Sequence, residues 1–187
     1  DHVGNGKDWD LSRKNAGITL LPPYSYSKKA SPLVTGEYRG KIDALAGAID
    51  YLQKNRADYV VLADGDLIAN IDISEVVQAH ENGGNDITMV VTKKSADNPF
   101  TTYCELNRKR EIVDIRVGDN NDGKCKYSAL GVYVMSRQYL IHLIADCVTH
   151  NCIHFERELL TRALNDSNIG AYVFNEYNTK VFDAKVY

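Results

Sequence analysis

The chain has 187 residues, of which 44% are hydrophobic and 25% charged, with a formal net charge of −3. That balance fits one globular domain and excludes the basic face that nucleic acid requires. No apolar run is long enough to span a membrane, so neither a nucleic-acid nor a membrane partner is expected. The opening DHVGNGKDWD is unlike a signal peptide and reads as sequence from the middle of a protein, so a fragment is expected.

Residues 1–17 are polar and irregular, with Trp9 as the one large side chain. The run GITLL at 17–21 predicts a short buried strand ended by Pro22-Pro23. Residues 24–37 form a Ser/Lys/Pro-rich loop. Here Tyr24 and Tyr26, like Tyr38 just beyond, read as half-buried, and Lys28 and Lys29 as solvated. Ile42, Leu45, Ala46, Ile49 and Leu52 recur at helical spacing and predict one amphipathic helix over 39–55. Tyr59–Ala63 is short, continuous and apolar, which predicts a buried strand of parallel type. In Asp72-Ile73-Ser74-Glu75 a capping box starts the next helix, with Asp72 as N-cap and Glu75 at N3. That helix ends at Gly83-Gly84, with His80 expected on its exposed side. Ile87–Thr92 is the following strand and completes a βαβ unit, for which a right-handed crossover is expected.

Beyond this point the pattern turns antiparallel. Runs at 102–106, 111–116 and 128–135 predict strands, with a turn at Asn120-Asn121-Asp122-Gly123. Helices are predicted over 137–148 and 155–166, and a last strand over 169–174. The class is α/β with a mixed sheet. Cys147, His150, Cys152 and His154 lie close together, but their spacing fits no common zinc pattern. The four cysteines read as reduced thiols of a cytoplasmic protein.

The stretch VVLADGDLIANID at 60–72 carries the strongest chemical hint. Asp64 and Asp66 fall just past the carboxyl end of a strand, where ligands of open α/β sheets sit. A divalent cation held there could bridge to a diphosphate. Asp-x-Asp is also a short signature of nucleotide-sugar glycosyltransferases, and Asp-Gly-Asp makes a tight turn on its own. Spacing leaves a ligand site and a plain turn both open. Asp72 reads as a helix cap rather than a ligand.

Six segments in order, WDLSRKNAGITLLPPY, EYRGKIDALAGAIDYLQK, YVVLADGDLIANIDISEVVQAH, DITMVV, ALGVYVMS and AYVFNEYN, resemble bacterial glucose-1-phosphate adenylyltransferase, also called ADP-glucose pyrophosphorylase. That family makes ADP-glucose and pyrophosphate from ATP and glucose 1-phosphate for glycogen biosynthesis. The resemblance implies a three-layer, Rossmann-like nucleotidyltransferase fold with a mixed β-sheet, incomplete here. The family's N-terminal Gly-rich loop and C-terminal β-helix would lie outside residues 1–187, leaving a partial nucleotidyltransferase domain.

Carried over by position, the family's metal-binding Asp falls on Asp66, and the His after it on Leu67. The Gly-Thr-Ala segment near base and sugar falls on Gly40-Lys41-Ile42. The Lys that holds the sugar phosphate falls on Gly118, within Val117-Gly118-Asp119. A sugar-binding Ser falls on Ala129, an Asp-Phe pair on His154-Phe155, and the second metal carboxylate on Lys180. Gly40 and Phe155 are therefore implied as surviving substrate-binding positions, and Asp66 as a vestigial catalytic and metal residue. The Mg2+ of the family is not expected to be held tightly. Losing the Lys at position 118 removes a charge-assisted contact worth on the order of a few kcal/mol. This set of departures resembles the D-type subunit, whose implied role is regulatory in a hetero-oligomer. The implied partner is a catalytic sister subunit, with ATP or a sugar phosphate as candidate ligands. Two rival readings are an active sugar-phosphate nucleotidyltransferase and a metal-dependent glycosyltransferase using Asp64-Gly65-Asp66.

Overall fold

A computed structural model describes residues 17–21, 40–93, 100–118, 120 and 123–181. Its strands are β1 (Tyr59–Ala63), β2 (Leu67–Ala69), β3 (Ile87–Thr92), β4 (Thr102–Leu106), β5 (Ile112–Val117), β6 (Tyr127–Ser136), β7 (Ile169–Val173) and β8 (Asn178–Lys180). The helices are α1 (Lys41–Gly47), α2 (Ile49–Lys54), α3 (Ile73–Gly83), α4 (Arg137–Thr149) and α5 (Thr161–Asp166). A π-helical turn, Phe155–Leu160, leads directly into α5. The fold is α/β with a mixed sheet, as the periodicities predict.

Six strands form the main sheet in the order β5-β4-β6-β3-β7, with β1 also paired to β6. The β3–β7 pair is parallel, and the pairs made by β6 are antiparallel. Strand β3 is buried at every residue, and its side chains alternate between two cores. Ile87, Met89 and Val91 join a cluster with Ile42, Leu140, Ile144 and Phe155. Val90 joins a second with Val76, Leu130, Val132 and Val134. Helices thus cover both faces, with α3 on one and α1, α2, α4 and α5 on the other, in three layers.

Several expectations need correction. Residues 17–21 carry no strand, and Leu20 is exposed. No described strand pairs with this run, and an apolar pentapeptide without a ladder partner has nothing to hold it extended. The single helix over 39–55 breaks at Ala48 (φ −91°, ψ 0°) into α1 and α2. The apolar stripe survives because the break is one residue long: Ile42, Ala46 and Leu52 are all buried. Strand β1 is not of parallel type in its pairing. It runs antiparallel to β6, from Tyr59 opposite Ser136 to Ala63 opposite Val132. Strands β1 and β3 do point the same way, as a βαβ unit demands, but β6 lies between them.

His80 is buried, not exposed. It sits one turn after buried Val76, on the stripe facing the sheet, and its Nδ1 lies 2.9 Å from Thr88 Oγ1 on β3. The Tyr59 ring meets its edge at 5.3 Å. The capping box is half realised. Asp72 Oδ1 accepts from Ser74 N–H at 2.8 Å, but Glu75 Oε2 accepts from the Tyr172 hydroxyl at 3.2 Å. Helix α3 ends at left-handed Gly84 as expected. In the predicted turn, Gly123 N–H donates to the Asn120 carbonyl at 2.9 Å. Its residues 121 and 122, with Trp9, Tyr24, Tyr26, Lys28, Lys29, Tyr38 and Asp119, lie outside the described residues.

Candidate functional site

One edge of β6 exchanges partners along its length. Strand β4 pairs with Tyr127 and Ser128, whereas β1 pairs from Val132 to Ser136. Where the two partners part, a cleft of about 1000 Å³ opens over residues 128–131, at the carboxyl end of β1. Asp64 extends the β1–β6 pairing by one bond, its N–H donating to the Gly131 carbonyl at 3.0 Å. Its side chain lies over Gly131, where an added Cβ would stand 2.2 Å from Asp64 Oδ2. Gly131 also has φ +79°, so both the close approach and the backbone require glycine.

Three distant parts of the chain bring charge to the surroundings of Asp64. Lys41 opens α1 and places its Nζ 2.7 Å from Asp64 Oδ1; the same ammonium also donates to Glu156 Oε1. Lys180 donates from β8 to Asp64 Oδ2 at 3.2 Å. Its Nζ stands 3.9 Å from Asp66 Oδ1. The short antiparallel pair β2–β8 delivers it, since Lys180 lies opposite Leu67 and Val181 N–H donates to the Asp66 carbonyl at 2.8 Å. Glu156 lies in the π-helical turn and accepts from the Tyr133 hydroxyl at 3.3 Å. Asp64 and Lys180 keep only 19% and 20% of their side-chain surface exposed, so these pairs are less screened than ion pairs at an open surface.

The perturbed groups follow from this packing. Burial lowers the affinity of Lys41 for its proton, but Glu156 and Asp64 outweigh it and hold the pKa above the ordinary lysine value. Burial, then the carboxylates of Glu156 and Asp64, push the Tyr133 hydroxyl well above its ordinary range, so it remains a donor. Glu158 Oε2 accepts from Ile153 N–H and His154 N–H, both at 2.6 Å. Those bonds hold its carboxyl below the usual value and fix the chain where it enters the cleft.

The donor set does not suit a divalent cation. Both oxygens of Asp64 are engaged by lysines, and Asp66 Oδ1, facing Lys180, is shielded from solvent and has no hydrogen-bond partner among the described residues. A doubly charged ion about 4 Å from that ammonium would be opposed by roughly 8 kcal/mol at an effective dielectric constant of about 20. Among the described residues no group of three His, Cys, Asp or Glu side chains is placed to hold a metal. Cys147 and Cys152 are buried together, the Cys147 thiol pushed up to about 12 chiefly by burial, and His150 turns to Asp146.

The sequence-derived positions divide. Asp64, Asp66, Ala129, His154 and Lys180 border the cleft, as does Val117, whereas Gly118, the position of the sugar-phosphate Lys, is not part of its lining. Gly40 lies behind it, against Ile153, where a Cβ would stand 2.7 Å from the carbonyl oxygen. Phe155 is core, its ring 5.1 Å from that of Tyr133. Glu156 and Tyr133 went unremarked in the sequence. Glu156 reads there as one of two acids opening a helix, and nothing in the spacing separates it from Glu158, which caps.

Fold and cleft together describe an α/β protein with a charged recess at a strand's carboxyl end, the usual seat of a ligand in such sheets. No family model matches the sequence. The chain is similar to the glucose-1-phosphate adenylyltransferase of Thermosipho melanesiensis, 28% identical over 180 residues that cover 94% of this chain and 42% of the relative. The protein of the same name from Fervidobacterium nodosum is 29% identical over 181 residues, with the same coverage of each. That of Halalkalibacterium halodurans is 26% identical over 190 residues, covering 100% of this chain and 48% of the relative. The chain thus spans less than half the length of these curated relatives. Among the described residues no helix is long and apolar enough to cross a membrane.

Proposed function

We propose that this chain belongs to a non-catalytic, regulatory subunit of ADP-glucose pyrophosphorylase, acting in the cytoplasm beside a catalytic sister subunit in glycogen biosynthesis. The observation that carries the reading is the lysine closure of the acidic loop: Lys180 and Lys41 both engage Asp64, and Lys180 faces Asp66. Nucleotidyl transfer works by setting positive charge against the phosphates in flight, and carboxylates are what hold that charge as a metal. Here both oxygens of Asp64 already face the protein's own ammoniums, and Asp66 faces one of them. The similarity to adenylyltransferases over nearly the whole chain supports the kinship, and the altered cleft supports the loss of chemistry. Regulation then means shifting the partner between states of different activity.

The test is reconstitution. The full-length protein, purified alone, is expected to convert ATP and glucose 1-phosphate at a negligible rate. Adding the catalytic subunit is expected to change that subunit's rate or its response to effectors. A magnesium-dependent rate from the protein alone, abolished by Asp66→Asn, would replace this reading with that of an active enzyme. No change on mixing would remove the regulatory role.

A further inference from the structure

We infer that Lys180 is a built-in substitute for a divalent cation, and that the Asp64–Asp66 pair binds no metal ion. A magnesium ion needs near-octahedral oxygen ligands at about 2.0–2.1 Å, with carboxylate lone pairs free to take it. Each oxygen of Asp64 already faces an ammonium, Oδ1 that of Lys41 at 2.7 Å and Oδ2 that of Lys180 at 3.2 Å, so a cation would have to enter beside two fixed positive charges. Asp66 Oδ1 is shielded from water and accepts no hydrogen bond among the described residues, yet it lies 3.9 Å from Lys180 Nζ. One ammonium therefore stands between the two carboxylates, as a bridging ion would.

Its position is fixed by backbone as well as charge. The β2–β8 register puts Lys180 opposite Leu67, and the Val181 N–H to Asp66 carbonyl bond ties the two loops together. The lysine is thus not a surface side chain that an incoming cation could displace at little cost; only 20% of it is exposed. A phosphate-bearing ligand in this cleft would meet a fixed monovalent ammonium in place of an exchangeable divalent ion.

The inference rests on the proposed kinship, which supplies the expectation of a metal, but its test does not read synthesis of ADP-glucose. Manganese binding to the full-length protein is followed by electron paramagnetic resonance and by calorimetry. The wild type is expected to show no saturable site that Asp66→Asn removes. Lys180→Asp is expected to gain one site, at least tenfold tighter than any wild-type binding and lost again when Asp66→Asn is added. Lys180→Met, which is one atom shorter and drops the charge, is expected to strengthen binding in the same direction by a smaller factor. A wild-type site in the micromolar range that depends on Asp66 overturns the inference, and this measurement decides even if neither variant folds. Folded variants that gain no manganese also overturn it. Should reconstitution fail while these results hold, the function is misread and the metal substitution stands.

Discussion

Gly131 shows how much of a site can depend on an atom that is absent. Its φ of +79° and the 2.2 Å approach of Asp64 Oδ2 to a would-be Cβ leave a larger residue no relaxed arrangement. Gly131→Ala is expected to lower stability by about 1–3 kcal/mol or to expel Asp64 from its place. Thermal unfolding reads the first outcome, and a crystal structure of the variant the second. An unchanged melting temperature with Asp64 still over residue 131 would contradict the steric account. At this scale the sequence was half legible. Asp66 and Lys180 could each be singled out from the chain, as could the oddity of a lysine in that place. Their meeting at 3.9 Å could not, because it depends on a strand pairing 113 positions apart (180 − 67). Glu156 was hidden for a different reason: an acid in the first turn of a helix has an ordinary explanation in the helix dipole.

Elements were read well where burial imposes a period and poorly where partners decide. Strand β3, helix α4 and the cap and stop of α3 match the prediction because a short run rich in β-branched residues, apolar spacing, Asp72 and Gly84 are local causes. Strands β2 and β8 escaped because three residues have no period and exist only as a pair. The π-helical turn at 155–160 shares its apolar residues with an α-helix, so Phe155, Leu159 and Leu160 predict either. His80 belongs to this scale, since it fastens α3 to β3 through Thr88. Its pKa lies below the ordinary 6.5, chiefly because of burial, with Glu81 and Asp86 opposing. Well above 6.5 the imidazole is neutral in both the folded and the unfolded chain. As pH falls from there toward the lowered folded value, the unfolded state binds a proton the folded state resists, and stability drops. His80→Gln is therefore expected to lose less stability than the wild type between about pH 7 and about pH 5.5. Denaturant titrations at both values give the comparison. An equal loss in the two proteins would mean His80 contributes nothing to acid sensitivity.

Across the whole molecule, the charged cleft depends on one long strand that serves two neighbours. Because β6 meets β4 at one end and β1 at the other, the sheet has a notch, and the notch receives Lys41, Asp64, Glu156 and Lys180 from separate elements. Removing the central carboxylate should leave two ammoniums facing each other. Asp64→Asn is expected to cost about 1–3 kcal/mol, and Lys180→Met in that background to recover part of it, a coupling of about 1 kcal/mol. Unfolding of the four proteins of this cycle measures the coupling directly. Strict additivity would mean that the 3.2 Å contact between Asp64 and Lys180 has no energetic content. The α/β class followed from the order of apolar runs, but the notch did not, because nothing local marks where a strand changes partners.

The ionic closure bears on assembly as well as on ligands. A chain with β8 off its register leaves Asp66 without the ammonium it faces, and one with the π-helical turn displaced leaves Lys41 with Asp64 alone. Misrouted topologies are thereby disfavoured against the native one. The ion pairs of the cleft then act as a checksum on the fold.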